Sequence, residues 1–354
     1  MNKLRILPLP YFYGLLLLLL LLLFAWSLGV GAVPIPFAEL PGLLRHHAAG
    51  TGKVNALHES LFFQIRLPRS LLCLLVGASL SVSGALMQSL FRNPIVEPGL
   101  VGTSAGSALG AALLIVLGQH AFFSNLSGLG FLLAPTCAFI GGMAATLLVY
   151  YFSASVRRVN VAVMILAGVA VNALANGGTG FLAYIARDPQ ARSITFWSLG
   201  TLSVASWKMV GIVCISTVTG IALALRLARP LNALQLGDAE ARYLGVRTER
   251  LKFSVMLVNA LLVAVATSMV GIIGFVGLIV PHLLRMLRGS DNRFLVAGSA
   301  LLGASVLLAT DMLCRVLIAP AEMPIGIVTA FIGAPLFLYL LARARGGGKG
   351  GFYA

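Results

Sequence analysis

Acidic side chains are scarce: Asp and Glu together number ten in 354 residues, and all charged residues make up 10% of the chain. A globular surface needs roughly a quarter of the residues charged, so an ordinary soluble domain is excluded. Cysteine is scarce too. Cys73, Cys137, Cys214 and Cys314 each stand alone inside an apolar run, which indicates neither a disulfide framework nor a metal site. No Gly-x-x-x-x-Gly-Lys-Ser/Thr loop occurs, since Gly52-Lys53 is followed by Val54 and Gly348-Lys349 by Gly350. The chain therefore lacks a nucleotide site of its own. Carboxylates are nearly missing from the apolar runs, with Asp311 the one clear candidate, whereas a proton-coupled carrier ordinarily needs such groups on its path. Asp311 lies four residues before Arg315, and an i,i+4 ion pair is its simpler explanation. No Ser-His-Asp, His-x-x-x-His or paired-carboxylate set stands out at membrane depth, which argues against an intramembrane enzyme.

What the chain has is apolar length. Hydrophobic residues make up 59% of it. A helix needs about 20 apolar residues to cross the hydrocarbon, and ten such runs are legible: 11–33, 70–90, 99–118, 129–152, 161–185, 207–227, 253–271, 272–287, 294–313 and 325–341. The first follows Lys3 and Arg5 like a signal peptide but is too long for one, so it reads as an uncleaved first helix. The expected fold is an all-α polytopic membrane protein of about ten transmembrane helices, one domain over 1–354, with 34–65 as its longest outer segment and 343–354 as an inner tail. At 271/272 the pattern is open, because Gly271, Gly274 and Gly277 mark a broken helix as readily as a tight turn.

The net charge of +15 does not point to nucleic acid, because the basic residues are spread over many short loops. Seventeen of the 25, including Lys3, Arg5, Arg229, Arg242 and Arg343, fall on the side that carries both ends of the chain. The positive-inside rule places that side in the cytoplasm. Gly102, Gly106 and Gly110 recur every four residues and Gly77 and Gly84 sit on the preceding run, a spacing that lets helices approach closely.

Residues 229–252 are the longest polar interruption after residue 70, and they hold Asp238, Glu240 and Glu249. Leu236, Ala239, Tyr243 and Leu244 fall three or four apart and Asp238 lies four before Arg242, which suggests a short amphipathic helix closed by Gly245. Its apolar stripe either meets another protein at the membrane surface or rests on neighbouring loops. Within the fifth run, Asn172, Asn176, Gly177, Gly178 and Thr179 are candidates to line a polar route, because amides and bare backbone pass a polar solute without trapping it. Interhelical hydrogen bonds account for the same residues equally well.

Several segments together resemble the permeases of the FecCD family, the membrane subunits of ABC importers for vitamin B12, iron-siderophores and haem. They are RLPR at 66–69, GASLSVSGALMQSLFRNPIVEPGLVGTSAGSALG at 77–110, LAG at 166–168, FWSLG at 196–200, LNALQLGDAEARYLG at 231–245, GFVGLIVPHLLR at 274–285, and DMLCR through EMPIGIVTAFIGAPLF at 311–337. The resemblance implies a BtuC-like ABC importer permease fold in a bacterial inner membrane, working as a homodimer with its path between the copies. It implies two ATP-binding cassette subunits, which hold the ATP and Mg, and a periplasmic binding protein. By it, 231–245 forms two short coupling helices on the ATPase, with Gly237, Asp238, Ala241, Leu244 and Gly245 at that interface. Arg66, Arg69 and Arg315 match arginines that dock the binding protein, although snorkelling toward the interface would also place them there. A cytoplasmic gate falls at Asn160, Val161 and Ala162, where Val161 and Ala162 replace small hydroxyl residues found in the family.

The wording of 190–200 looks most like the haem branch. Haem is an apolar ring with two propionates, and Arg187 and Arg192 near the mouth would suit it. His46, His47 and His58 invite reading as iron ligands, yet histidines in an outer loop are more often simply solvated. Ferric siderophores and cobalamin are the rival cargoes, and an ion-coupled secondary transporter is the rival class.

Overall fold

The computed structural model describes residues 8–50, 54–118, 127–154 and 159–346, and these are helical almost throughout. Each apolar run becomes a helix, because in hydrocarbon a segment must satisfy its own backbone hydrogen bonds. The helices are α1 (Leu9–Gly29), α2 (Leu40–Ala49), α3 (Ala56–Ser60), α4 (Leu67–Leu90), α5 (Thr103–Leu117), α6 (Leu133–Ser153), α7 (Val161–Ile185), α8 (Gln190–Leu199), α9 (Trp207–Gln235), α10 (Asp238–Tyr243), α11 (Thr248–Val270), α12 (Val276–Arg288), α13 (Asn292–Val316) and α14 (Ile325–Gly346). Seven of the helical segments are long and apolar enough to cross a membrane, and α5 and α14 are shorter apolar helices.

Helix α4 is the axis of the bundle. Nearly every residue from Ser70 to Leu90 is buried, including small polar ones such as Ser79, Ser83 and Gln88. Helices α9, α11, α12 and α13 surround it, α1 lies against α13, and α5, α6 and α7 form a second group joined through α11. In lipid there is little hydrophobic gain from helix contact, so close backbone approach and buried hydrogen bonds hold the helices together. A Cβ on Gly84 would strike the carbonyl of Gly277, and one on Gly106 would strike that of Gly141. Ser79 Oγ meets Thr217 Oγ1 at 2.8 Å, Thr103 Oγ1 meets Thr146 Oγ1 at 2.7 Å, and Ser83 donates to Asn259.

Three boundaries differ from the sequence reading. The outer segment 34–65 is not a plain loop: α2 packs there, and α3 runs through a π-helical stretch, Leu61–Arg66, directly into α4. Helix α9 overshoots its apolar run and continues past Pro230 to Gln235, because Leu231 and Leu234 are buried in the core. The open question at 271/272 is resolved as a break: α11 ends at Val270, residues 271–275 are not helical, and α12 begins at Val276. At 13 residues, α12 is about 20 Å long, too short to span.

Candidate functional site

The polar stretch 229–252 forms an elbow at one end of the bundle. Its first part is the extension of α9, so only one separate short helix exists there, α10, instead of the two expected. Gly237 opens α10 at φ 132° and Gly245 closes it at φ 83°, backbone conformations that favour glycine. Ala241 is fully buried and anchors α10 to the bundle, so it does not offer surface to a partner. Asp238 also turns inward. Its carboxylate takes the Lys252 ammonium at 2.6 Å and lies 3.7 Å from Arg92, not on Arg242 as the i,i+4 spacing suggested. Arg242 instead reaches Glu249 at 3.1 Å and Thr248 at 3.0 Å. Left outward are Leu236 (67% exposed), Tyr243 (92%) and Leu244 (63%), with Gly245 beside them in open space.

At the opposite end, the three arginines expected to stand ready for a binding protein are buried and paired within the chain. Arg69 holds Asp311 at 2.9 Å and Glu322 at 2.8 Å, and Arg315 approaches the other Asp311 oxygen at 2.9 Å. The i,i+4 ion pair is therefore present, but as half of a three-helix cluster. Arg315 also donates to the carbonyls of Ser27 and Val30, both at 3.0 Å. Arg66 donates to those of Leu28 at 2.8 Å, Gly29 at 2.7 Å and Val33. The last carbonyls of a helix have no partner inside it, and a guanidinium carries five donors. These arginines thus cap the end of α1 and fasten it to α4 and α13.

Along α7 the candidate residues divide. Asn172 spends its amide on the carbonyls of Gly99 (3.3 Å) and Leu100 (3.0 Å), bracing the segment before α5, while Thr179 bonds back to Ala175 at 2.9 Å. Asn176 and Gly177 remain exposed on an otherwise apolar face. Asn160 is the N-cap of α7, accepting from Ala162 N at 2.9 Å; Val161 is half-buried and Ala162 exposed. Arg187 and Arg192 are exposed around the start of α8 and join no ion pair among the described residues. His46 and His47 contact Glu59 at 3.1 and 3.7 Å and His58 contacts Glu39 at 2.6 Å, pairings that tie α2 to α3. No metal-binding group of three His, Cys, Asp or Glu occurs among the described residues.

A bundle with a polar elbow and a broken helix is shared by many permeases, so the family rests on comparison. The model of the FecCD transport family matches residues 18–343. The chain belongs to that family. Among relatives of this FecCD permease are the hemin transport system permease protein HmuU of Yersinia pestis, 43% identical over 290 residues (80% of this chain, 84% of that one), and the vitamin B12 import system permease protein BtuC of Escherichia coli O9:H4 (strain HS), 37% identical over 287 residues (81% and 85%). A metal-chelate type ABC transporter solved in an inward-facing conformation superposes with a TM-score of 0.80 at 33% identity, covering 94% of this chain and 99% of its own. PsaBC from Streptococcus pneumoniae, in complex with Fab, matches at TM-score 0.53 and 14% identity over 85% of this chain and 94% of its own, a likeness of fold alone. The protein is thus an ABC importer permease of the FecCD type.

Sequence reading missed three groups in this FecCD permease. Lys252 looked like one more surface charge, yet it is 1% exposed and pins the elbow. Glu322 stands between two apolar runs with no local partner in sequence, yet it completes the arginine cluster. Glu97 lies between two apolar runs and carries no local signal; its carboxylate accepts the N–H of Phe275, at the break between α11 and α12, at 3.2 Å. Partners so distant in sequence leave no local signal.

Proposed function

We propose that this FecCD permease works as a homodimer, with its path between the two copies, and is driven by two separate ATPase subunits that grip the elbow. The observation that carries this reading is the outward set Leu236, Tyr243 and Leu244 at the two ends of the short helix α10, whose other side is locked to the bundle by Ala241 and Lys252. A rigid base with an exposed apolar face transmits a partner's movement, because ATP binding shifts the permease only through contacts that differ between its two states. ATP and Mg belong to those subunits. By the positive-inside rule the elbow and both chain ends face the cytoplasm of a bacterial inner membrane.

Haem is the cargo we favour, supported by the 43% identity to a protein named for hemin transport, against 37% for one named for vitamin B12. The exposed guanidiniums of Arg187 and Arg192 suit propionates at the mouth. Cobalamin and ferric siderophores are the alternatives. The cargo arrives from a periplasmic binding protein, and Arg66, Arg69 and Arg315 serve that docking by shaping the surface, since their guanidiniums are already engaged. Asn176, Gly177 and Thr179 lie along the route, with Asn172 bracing its wall and Asn160, Val161 and Ala162 at its inner gate.

Reconstitution in liposomes with the cognate ATPase and binding protein, offering haem, cobalamin and several ferric siderophores in turn, tests the whole. ATP-dependent uptake of haem alone is the expected result. Uptake under an ion gradient without the ATPase would replace the importer with a secondary transporter.

A further inference from the structure

Glu97 occupies a position that its place in the sequence conceals. Residues 91–102 join α4 to α5, and this connection would ordinarily lie at the bundle's elbow end, beside the last turn of α4. Instead it folds back along the bundle. A Cβ on Gly277 would meet the ring of Pro98 and, at 2.7 Å, the carbonyl oxygen of Leu80. Leu80 lies near the middle of α4. Glu97, adjacent to Pro98, is therefore level with mid-bilayer. On the other side, Asn172, near the middle of α7, holds the carbonyls of Gly99 and Leu100.

At this depth the Glu97 residue is exposed on the surface of the single chain. Its neighbour across the hydrogen bond, Phe275, holds φ at 68°, a conformation rare for a bulky residue and tolerated where surrounding structure enforces it. The enforcement is visible, since a Cβ on Gly333 of α14 would run into the Phe275 ring and Cβ. Non-helical backbone at membrane depth persists only where it is buried in protein or lines water. An ionisable group there faces a bundle interior or an aqueous cavity, because exposure to hydrocarbon is strongly unfavourable.

We propose that Glu97 lines the transport route at mid-bilayer and offers a carboxylate to cationic or N–H and O–H donor groups of the passing cargo. Gly274 brings bare backbone beside the held oxygen: a Cβ there would lie 3.4 Å from Glu97 Oε1, the atom that accepts from Phe275 N–H. One carboxylate oxygen is held by Phe275, which fixes the side chain and leaves the second oxygen available. The proposal deepens the importer reading and rests on it for the identity of the route.

The test uses the full transporter, permease with ATPase and binding protein, in liposomes. Glu97→Cys is treated with a charged, membrane-impermeant methanethiosulfonate reagent, and labelling is measured as the increment over the parent chain with its four native cysteines. Labelling from water in the nucleotide-free or the ATP-trapped state is expected. Reaction only with a lipid-soluble maleimide would place the position against hydrocarbon, and reaction with neither would place it inside a protein contact; both overturn the proposal. Should the cysteine variant fail to assemble, Glu97→Gln keeps an acceptor for Phe275. It should raise the KM for uptake about tenfold, the loss expected for a charged hydrogen bond, with melting temperature unchanged. An unchanged KM overturns the proposal. A parent complex without ATP-driven uptake would sink the importer reading instead, while the labelling would still report whether position 97 faces water.

Discussion

The Lys252 ammonium stands 2.6 Å from the Asp238 carboxylate and 2.9 Å from the carbonyl of Val159, with almost none of its side chain exposed. One buried cation thus ties the elbow helix α10 to the first turn of α11 and to the chain just before α7. A buried charge is stable only when paired and hydrogen-bonded, so these three pieces move together or not at all.

Lys252→Met should keep the bulk and lose the tie. A charge-assisted hydrogen bond is worth about 1.5–3 kcal/mol, and the purified subunit should lose about that much stability in a denaturant titration in detergent. Uptake should fall more than ATPase binding does, because the elbow would still be gripped but would no longer move its neighbours. Equal loss of both would show that Lys252 serves folding alone.

Tyr243 and Leu244 give the complementary case. Both are exposed, so Tyr243→Glu and Leu244→Asp should leave the subunit's unfolding free energy within the small range of surface substitutions, about 0.5 kcal/mol. Co-purification with the ATPase subunit should be lost. Ala241→Asp, buried on the same helix, should instead unfold the elbow.

Asp311 sits between Arg69 and Arg315 and has no comparable freedom. Removing it leaves Arg315 buried without a counter-charge and Arg69 with Glu322 alone, a loss of about 3–5 kcal/mol by precedent for broken buried pairs. Asp311→Ala should therefore reduce the yield of folded protein in membranes. The double change of Arg66 and Arg69 to Glu should do the same, through loss of the α1 cap and the cluster, before any effect on binding-protein docking is measurable. Normal folding with weakened docking would restore the view of these arginines as free surface groups.

Gly84 and Gly277 test the packing. Their helices touch backbone to backbone, so Gly84→Ala should force α4 and α12 apart and destabilise by about 1–3 kcal/mol, the usual range for overpacking. Gly14, where an added Cβ meets nothing within 4 Å, is the control: Gly14→Ala should be neutral in the same thermal-unfolding assay.

The all-helical membrane class, the apolar runs that become helices and the position of the elbow were legible in the sequence, because apolar length and polar interruption are properties of consecutive residues and hydrocarbon enforces them locally. The family motifs were legible for the same reason. Which face of α10 points outward was only half legible. Tyr243 and Leu244 were recognised as surface, but Ala241 and Asp238 were placed there too, and only packing against α11 and the chain before α7 turns them inward. The arginines show the limit most clearly. Three basic residues near an apparent outer loop look solvated in one dimension, yet 242 residues separate Arg69 from Asp311, and folding α1, α4 and α13 together is what closes the cluster. Glu97 likewise sat in what looked like a loop, and its depth was decided by the return of residues 91–102 into the bundle. Local chemistry determined where the chain is apolar; the tertiary fold decided which of its few charges are buried, because a charge's environment is made by residues far away along the chain.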